Sequence, residues 1–396
     1  MDAPAPTEVP GGDLPADLLR LICHLLPCPV DRRHMGQACR FWRQSVTPEH
    51  PPPPPLPSIV LTRAGGPSFS CVSRGCITHR FKFPNDARVA RYLSSYDGGW
   101  VFFTIGGFSR HANTLLNVLT GQRFMLPFLL RLQYSPYCGW HLPVVILAAT
   151  LSSPPVHGHS VIAAIVSSFH DTELTGGRNL AFWRLGDMDQ WITGSISSSD
   201  DVIFYHGAFH VIDELDFVNA LRVYVPLFDQ DGNMEHLHVE MIYFQLEDHE
   251  YGEHVAARYL VESRGELLMV VRFTPHLGQP TSAFRVFQMV QAYDGRFTGY
   301  TWEELHALDG RALFVGRCCS RSYEVAEHAG FEDGVYFLDD RSFHDKEKDR
   351  LLLQSADQLQ FRCSDSGRWS ALTHQIENFF PEQGTSNYSP PVWILP

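Results

Sequence analysis

Hydrophobic positions along the chain change their period near residue 57. Between Leu14 and Val46 they recur at helical spacing; from Ser58 onward they alternate or come in short runs bounded by turn residues. In the first segment Leu14, Leu18, Ile22 and Leu25 fall on one face of an α-helix, with Leu21 and Leu26 widening the stripe. Asp13 stands where an N-cap would accept a backbone N–H, Pro15 is tolerated in a first turn, and Pro27 and Pro29 end the helix. Asp31 is placed to cap a second helix, whose Met35, Ala38, Cys39, Trp42 and Val46 again share one face. Thr47-Pro48 and the run Pro51 to Pro55 stop it. Two helices this short cannot bury so much apolar surface against each other, so the hairpin needs a partner.

Beyond the prolines the pattern is that of strands. Apolar runs at 58–62, 99–105, 115–118, 144–148, 161–166, 179–184, 202–205, 209–213, 221–225, 258–262, 266–271, 284–289, 312–315, 334–338 and 351–354 are separated by Gly, Asp, Asn, Ser and Pro. Trp302-Glu-Glu-Leu305 reads as one short helical turn. So many short strands avoid open edges by closing into a propeller or by stacking as sandwiches. A weak repeat favours the propeller. An aromatic strand, a Gly or Asp turn and a second strand ending at Trp occur in Phe182 to Trp191 and again in Gln360 to Trp369. The expected fold is mainly β: a tail at 1–12, a small α-helical module at 13–47, a proline-rich linker at 48–57, and an all-β propeller-like domain of about six blades at 58–396.

Composition narrows the partners. A formal net charge of -13 over 396 residues, without a Lys/Arg block, lacks the electrostatic footprint of a nucleic-acid binder. No stretch approaches the roughly 20 apolar residues of a membrane span. The nearest, 142–169, is interrupted by Ser152-Ser-Pro-Pro155 and His157-Gly-His159. The first residues have neither a positive region nor an apolar core, so a cytoplasmic or nuclear location is expected. Nine cysteines without a C-x-x-C pair suit a reducing compartment and read mostly as buried thiols.

Candidate chemistry is sparse. His157-x-His159, and His236-x-His238 followed by Glu240, place imidazole pairs on one side of a strand, and Cys71, Cys76 and His79 fall close together. With 20 histidines such pairs arise by composition, and the cysteine set lacks a second ligand pair, so neither metal nor cofactor is expected. No G-x-S-x-G, P-loop or G-x-G-x-x-G occurs, and no catalytic residue is assigned. Substrate-binding residues are not identifiable from the chain, beyond the expectation that loop aromatics and arginines form a protein-binding surface.

The ordered residues of the hairpin carry a resemblance. Leu14-Pro15, Leu18-Leu19, Ile22, Leu26-Pro27, Asp31-Arg32 and Cys39-Arg40-Phe41-Trp42-Arg43 resemble the F-box, which docks substrate receptors onto the Skp1-type adaptor of cullin-RING ubiquitin ligases. The third helix of longer F-boxes has no counterpart in the sequence, because the chain runs into proline. Ser95-Tyr-Asp-Gly-Gly-Trp100, Leu116 to Gly121 with Arg123 to Pro127, Arg311 to Gly316, Val335 to Asp340 and Pro390 to Pro396 are similar to landmarks of plant F-box proteins with a KIB-type β-propeller. Here Asp309-Gly310 precede Arg311 where that family has Gly-Asp, so this loop is expected to turn differently.

The resemblance implies the substrate-recognition subunit of a Skp1-cullin-F-box ligase that performs no bond chemistry itself. The Skp1-type adaptor, and through it cullin, would be bound by Leu14, Pro15, Leu18, Leu19, Ile22, Leu25, Leu26, Pro27, Cys39 and Trp42, while the propeller holds an unidentified protein target. The rival reading is a ligase-independent propeller that sequesters or inhibits a partner such as a kinase. Lysine scarcity, with only Lys82, Lys346 and Lys348 among 31 basic residues, fits two accounts. It is either the codon bias of a GC-rich genome or a limit on self-ubiquitination.

Overall fold

The computed structural model describes residues 14–26, 28–46, 52–61, 66–72, 84–105, 112–131, 141–155, 159–168, 178–187, 191–195, 199–213, 220–230, 234–243, 254–293, 298–328, 330–344, 360–378, 380 and 384–396. The predicted N-cap Asp13, the helix-ending Pro27, the ligand candidates Cys76, His79 and His157, and the strand at 351–354 lie outside them.

The amino-terminal segment forms three helices rather than the expected two: α1 (Ala16–Leu25), α2 (Pro29–Ala38) and α3 (Arg40–Ser45). The break falls at Cys39, whose backbone is extended (φ -158°, ψ 172°). Its Sγ accepts the N–H of Trp42 at 3.4 Å and so caps α3. Two capping expectations are corrected as well. Pro15 holds the N-cap position of α1 with no side-chain cap, and Asp31 lies inside the first turn of α2, behind the N-cap Cys28. Pro29 opens α2 instead of only closing α1, since its fixed φ suits the first helical position, where no donor is needed. Leu19, Cys23 and Met35 form the hairpin's small core, with Leu14, Leu26, Trp42 and Val46 packed around it.

Beyond the hairpin the described residues form mainly antiparallel sheets, with one parallel strand pair in each of two sheets. β1 (Ser58–Leu61) and β2 (Ser68–Cys71) come first, and the first blade follows as β3 (Arg91–Tyr96), β4 (Trp100–Ile105), β5 (Ala112–Asn117) and β6 (Arg123–Leu126). The second blade comprises β7 (Leu129–Arg131), β8 (His141–Leu151), β9 (Val161–Ser168), β10 (Arg178–Arg184) and β11 (Trp191–Ser195). It curls into a small barrel because β7 pairs with both β8 and β11. The third blade is β12 (Ser199–Tyr205), β13 (Ala208–Asp213), β14 (Ala220–Phe228) and β15 (Met234–Tyr243). The fourth is β16 (His254–Ser263), β17 (Glu266–Thr274), β18 (Ala283–Tyr293) and β19 (Thr298–Leu305). The fifth is β20 (Arg311–Val315), β21 (Arg321–Glu324), β22 (Gly334–Phe337), β23 (Gly367–Trp369) and β24 (Ile376–Glu377).

The last strand, β25 (Val392–Ile394), pairs with β1 in register Ile59↔Trp393. It completes a three-stranded seam sheet in the order β2, β1, β25. Among the described residues the expected six or so blades are therefore five sheets of four or five strands and this three-stranded sixth. The expected turn at Trp302 is corrected: Trp302 sits in β19 opposite Met289, since alternation at Tyr300 and Trp302 turns both toward the third blade.

Every sheet packs face to face on two others, and the contacts close a ring. Leu93 and Phe102 of the first blade meet Ile146 and Trp191 of the second. Phe182 of the second lies 5.4 and 5.3 Å from Phe209 and Tyr224 of the third. Tyr205 and Leu221 of the third meet Phe273 and Phe287 of the fourth. Phe284 of the fourth meets Phe337 and Trp369 of the fifth at 5.0 and 6.1 Å. Phe314 of the fifth meets Trp393 of the seam at 5.2 Å. Val60 and Ile394 of the seam meet Tyr92 and Phe103 of the first.

The seam joins the first and last strands in space and so closes the ring of sheets. Trp393 Nε1 donates to Val315 O at 2.8 Å, while the Gly98 and Gly99 N–H groups donate to Pro396 O and Leu395 O at 2.8 and 2.9 Å. The last residues thereby tie the fifth blade to the first. Gly99 is required there: its φ is +78°, and a Cβ would sit 2.9 Å from Leu119 Cγ. The Asp309-Gly310 turn has φ of 50° and 79° with Arg311 N–H donating to Leu308 O, the type I′ geometry that Asp-Gly favours.

Candidate docking surface on the helical hairpin

Helix α1 is apolar on two faces, and the fold uses only one. Leu19 (0% exposed) and Cys23 point into the hairpin core beside Met35. About a quarter-turn away Leu18, Leu21, Ile22 and Leu25 stand 46%, 54%, 38% and 56% exposed. Their i, i+3, i+4, i+7 spacing makes them one contiguous strip along the helix. Phe41 on α3 is exposed as well. The strip is held from behind, where Arg20 Nε donates to Ser45 O at 3.2 Å and braces α1 against α3.

The residues expected to contact an adaptor separate into two groups. Leu18, Ile22, Leu25 and Pro15 are exposed and face outward with their surfaces free for contact. Leu19 is fully buried and Leu14, Leu26 and Trp42 pack around it, so these four build the platform instead of lining its surface. Cys39 is exposed but serves as a helix cap. Leu21 belongs on the contact strip, and its place three residues after Leu18 was the signal for it.

Among the described residues a dense set of charged groups lies inside the ring and is paired internally. Arg272, 1% exposed, donates to Asp340 Oδ1 at 2.7 Å, Asp365 Oδ2 at 2.8 Å and Thr281 Oγ1 at 2.7 Å. Burial opposes its charge, but Tyr259, Asp340 and Asp365 outweigh that and keep the guanidinium protonated. Tyr259 donates to Asp340 Oδ2 at 2.5 Å, and burial first, then Asp340, pushes its hydroxyl far above the usual range. Arg317 donates to Asp200 O at 2.6 Å and pairs with Asp340 at 3.4 Å, its guanidinium 4.3 Å from the Phe343 ring centre. Asp201 accepts from the N–H groups of Val202, Leu260 and Cys318. These charges clamp the third, fourth and fifth blades together.

A cavity beside them, lined among others by Leu147, Arg317, Asp340, Phe343 and Trp393, measures about 60 Å³. That is room for a few waters, well below the roughly 300–1,000 Å³ of small-molecule sites. His238 Nε2 lies 3.3 Å from Glu240 Oε1 on β15. Among the described residues no group of three or more His, Cys, Asp or Glu is arranged to hold a metal ion.

The family model described as KIB1-4 beta-propeller matches residues 68–359. The chain belongs to the KIB1-4 β-propeller family. The match covers the KIB1-4 propeller from β2 through β22, and helices α1 to α3 precede it. No curated protein matches the chain significantly. Among solved structures, the crystal structure of BBS1N in complex with ARL6DN, soaked with lead, is similar at 11% identity and a TM-score of 0.26, over 63% of this chain and 78% of that one. Among the described residues no helix is long and apolar enough to cross a membrane. In this KIB1-4 protein the hairpin is thus the region where a repeated apolar pattern meets solvent outside the propeller.

Proposed function

We propose that this KIB1-4 propeller protein is the substrate receptor of a plant Skp1-cullin-F-box ubiquitin ligase, acting in the cytoplasm or nucleus. The observation that carries the reading is the strip Leu18, Leu21, Ile22 and Leu25, four large apolar side chains exposed on a helix whose other face is already buried. A Skp1-type adaptor would cover it, and cullin would join through the adaptor. The propeller would hold the target protein beside a ubiquitin carrier. Its contribution to rate would be proximity, through a raised effective concentration of target lysines. No residue of this chain need form or break a bond.

The test is calorimetric titration of the full chain with a purified Skp1-type adaptor. Wild type is expected to bind, and Ile22→Asp and Leu25→Asp are each expected to weaken binding at least about 30-fold, the loss of about 2 kcal/mol typical of an interface anchor. Both variants should keep the wild-type circular dichroism and melting temperature. A wild type that leaves the adaptor unbound, or variants that bind as it does, would overturn the proposal and transfer function to the propeller alone.

A further inference from the structure

Two thiols 43 residues apart in sequence meet where the hairpin touches the seam sheet. Cys28 Sγ lies 3.3 Å from Cys71 Sγ, and neither sulfur is in a disulfide. Cys28, the N-cap of α2, is 2% exposed, whereas Cys71, the last residue of β2, is half-buried. Arg32 begins the helical hydrogen bonding of α2 by donating its N–H to Cys28 O, and its guanidinium donates to Leu26 O and Pro53 O. It places a positive charge beside Cys28 and Cys23. A partly exposed thiol, a second thiol at contact distance and a neighbouring cation are the surroundings in which thiols oxidise selectively.

We propose that Cys28 and Cys71 form an oxidative cross-linking site, at which a peroxide converts the pair to a disulfide that fastens the hairpin to the propeller. The accessible Cys71 thiolate attacks one peroxide oxygen, the O–O bond breaks, and Cys71 becomes a sulfenic acid as hydroxide leaves and takes up a proton to become water. The Cys28 thiolate then attacks the Cys71 sulfur. The S–S bond forms, the S–O bond breaks, and hydroxide leaves to take up a proton. Two thiols lose two electrons and one peroxide gains them. The sulfurs must close from 3.3 Å to about 2.05 Å, which side-chain torsions and a small shift of the α2 terminus supply. The bridge engages the α2 end of the hairpin and leaves Leu18, Leu21, Ile22 and Leu25 uncovered, so it stands independently of the adaptor reading.

The experiment treats the full chain with one equivalent of hydrogen peroxide, alkylates it, and maps its peptides without reduction. The expected product is a Cys28–Cys71 linked peptide with two of the nine thiols lost to alkylation. Amide exchange across residues 14–46 should slow about tenfold, as opening of the hairpin away from the propeller is suppressed. Dithiothreitol should reverse both. Cys28→Ser and Cys71→Ala should each abolish the link, and Cys39→Ser should retain it. Cys71 accumulating as sulfinic acid or pairing with Cys76, Cys28 remaining fully alkylatable, or a metal ion held by the pair against peroxide would each overturn the proposal.

Discussion

The hairpin and the propeller are built from the same apolar residues and dispose of them oppositely. The hairpin buries Leu19, Cys23 and Met35 and leaves four leucine and isoleucine side chains of one helix in solvent. The propeller arranges its apolar faces so that each sheet covers its neighbour around a closed ring, and it ties three blades with a buried charge network. The ring covers most of its apolar faces sheet on sheet, although Leu227, Phe228, Val239 and Met241 of its third blade stay exposed, whereas a three-helix module has too little interior to hide both faces of α1. The small size of the module limits what it can hide, and in the hairpin the exposed apolar surface is concentrated on one strip of α1.

Breaking the propeller side of the comparison should have the largest effect. Arg272→Met leaves the buried Asp365 and the half-buried Asp340 without their shared cation, and the expected loss is about 3–5 kcal/mol in urea denaturation. A loss below about 1 kcal/mol would show that other groups carry the clamp. The hairpin comparison is sharper still within one helix. Leu19→Ala should cost about 2–5 kcal/mol of hairpin stability, read as lost exchange protection over 14–46 while the main unfolding transition stays in place. Leu25→Asp, six residues further along α1 on the outer strip, should stay within about 0.5 kcal/mol of wild type in the same assay. Equal effects at both positions would erase the distinction between platform and strip.

The smallest expected effect is a pH dependence. His210 and His328 are buried, and burial holds both below the ordinary 6.5, helped at His210 by His206 and at His328 by Arg32. The unfolded chain then binds more protons than the folded one once pH falls below about 6.5, so stability is full above that value and declines as pH falls toward the depressed folded values. Melting temperatures at pH 7.5 and 5.5 should show the decline, and a His210→Gln, His328→Gln double variant should flatten it. An unchanged slope in that variant would move the effect to other groups. Because His328 sits in the propeller yet senses Arg32 of the hairpin, its single variant also reports how closely the two regions are joined.

Much of the strand content was legible where alternation or turn chemistry was strong. The runs at 258–262, 266–271 and 284–289 fall inside β16, β17 and β18, and Trp191 and Trp369 pack between sheets as the repeat implied. Strands β15 and β19 escaped because His, Glu and Thr on their exposed faces mask the alternation. β7, β23 and β25 are three residues long, too short to carry a period. The family's propeller and the outward residues Leu18, Ile22 and Leu25 were readable, while the inward turn of Leu19 was not.

Local spacing and residue order determined the class of each segment: helical to Val46, strands beyond Ser58, glycine at the tight turns and one wide apolar stripe on α1. Those depend on near neighbours in the chain, so the sequence contains them directly. Only the tertiary structure decided which apolar residues of α1 would be buried, that Cys39 would divide the second helix, and that β25 would pair with β1 to close the ring. It alone brought Cys28 against Cys71. Each of these rests on surfaces that meet across long separations in sequence, and what selects among equally apolar faces is the shape of the surface that arrives to cover them.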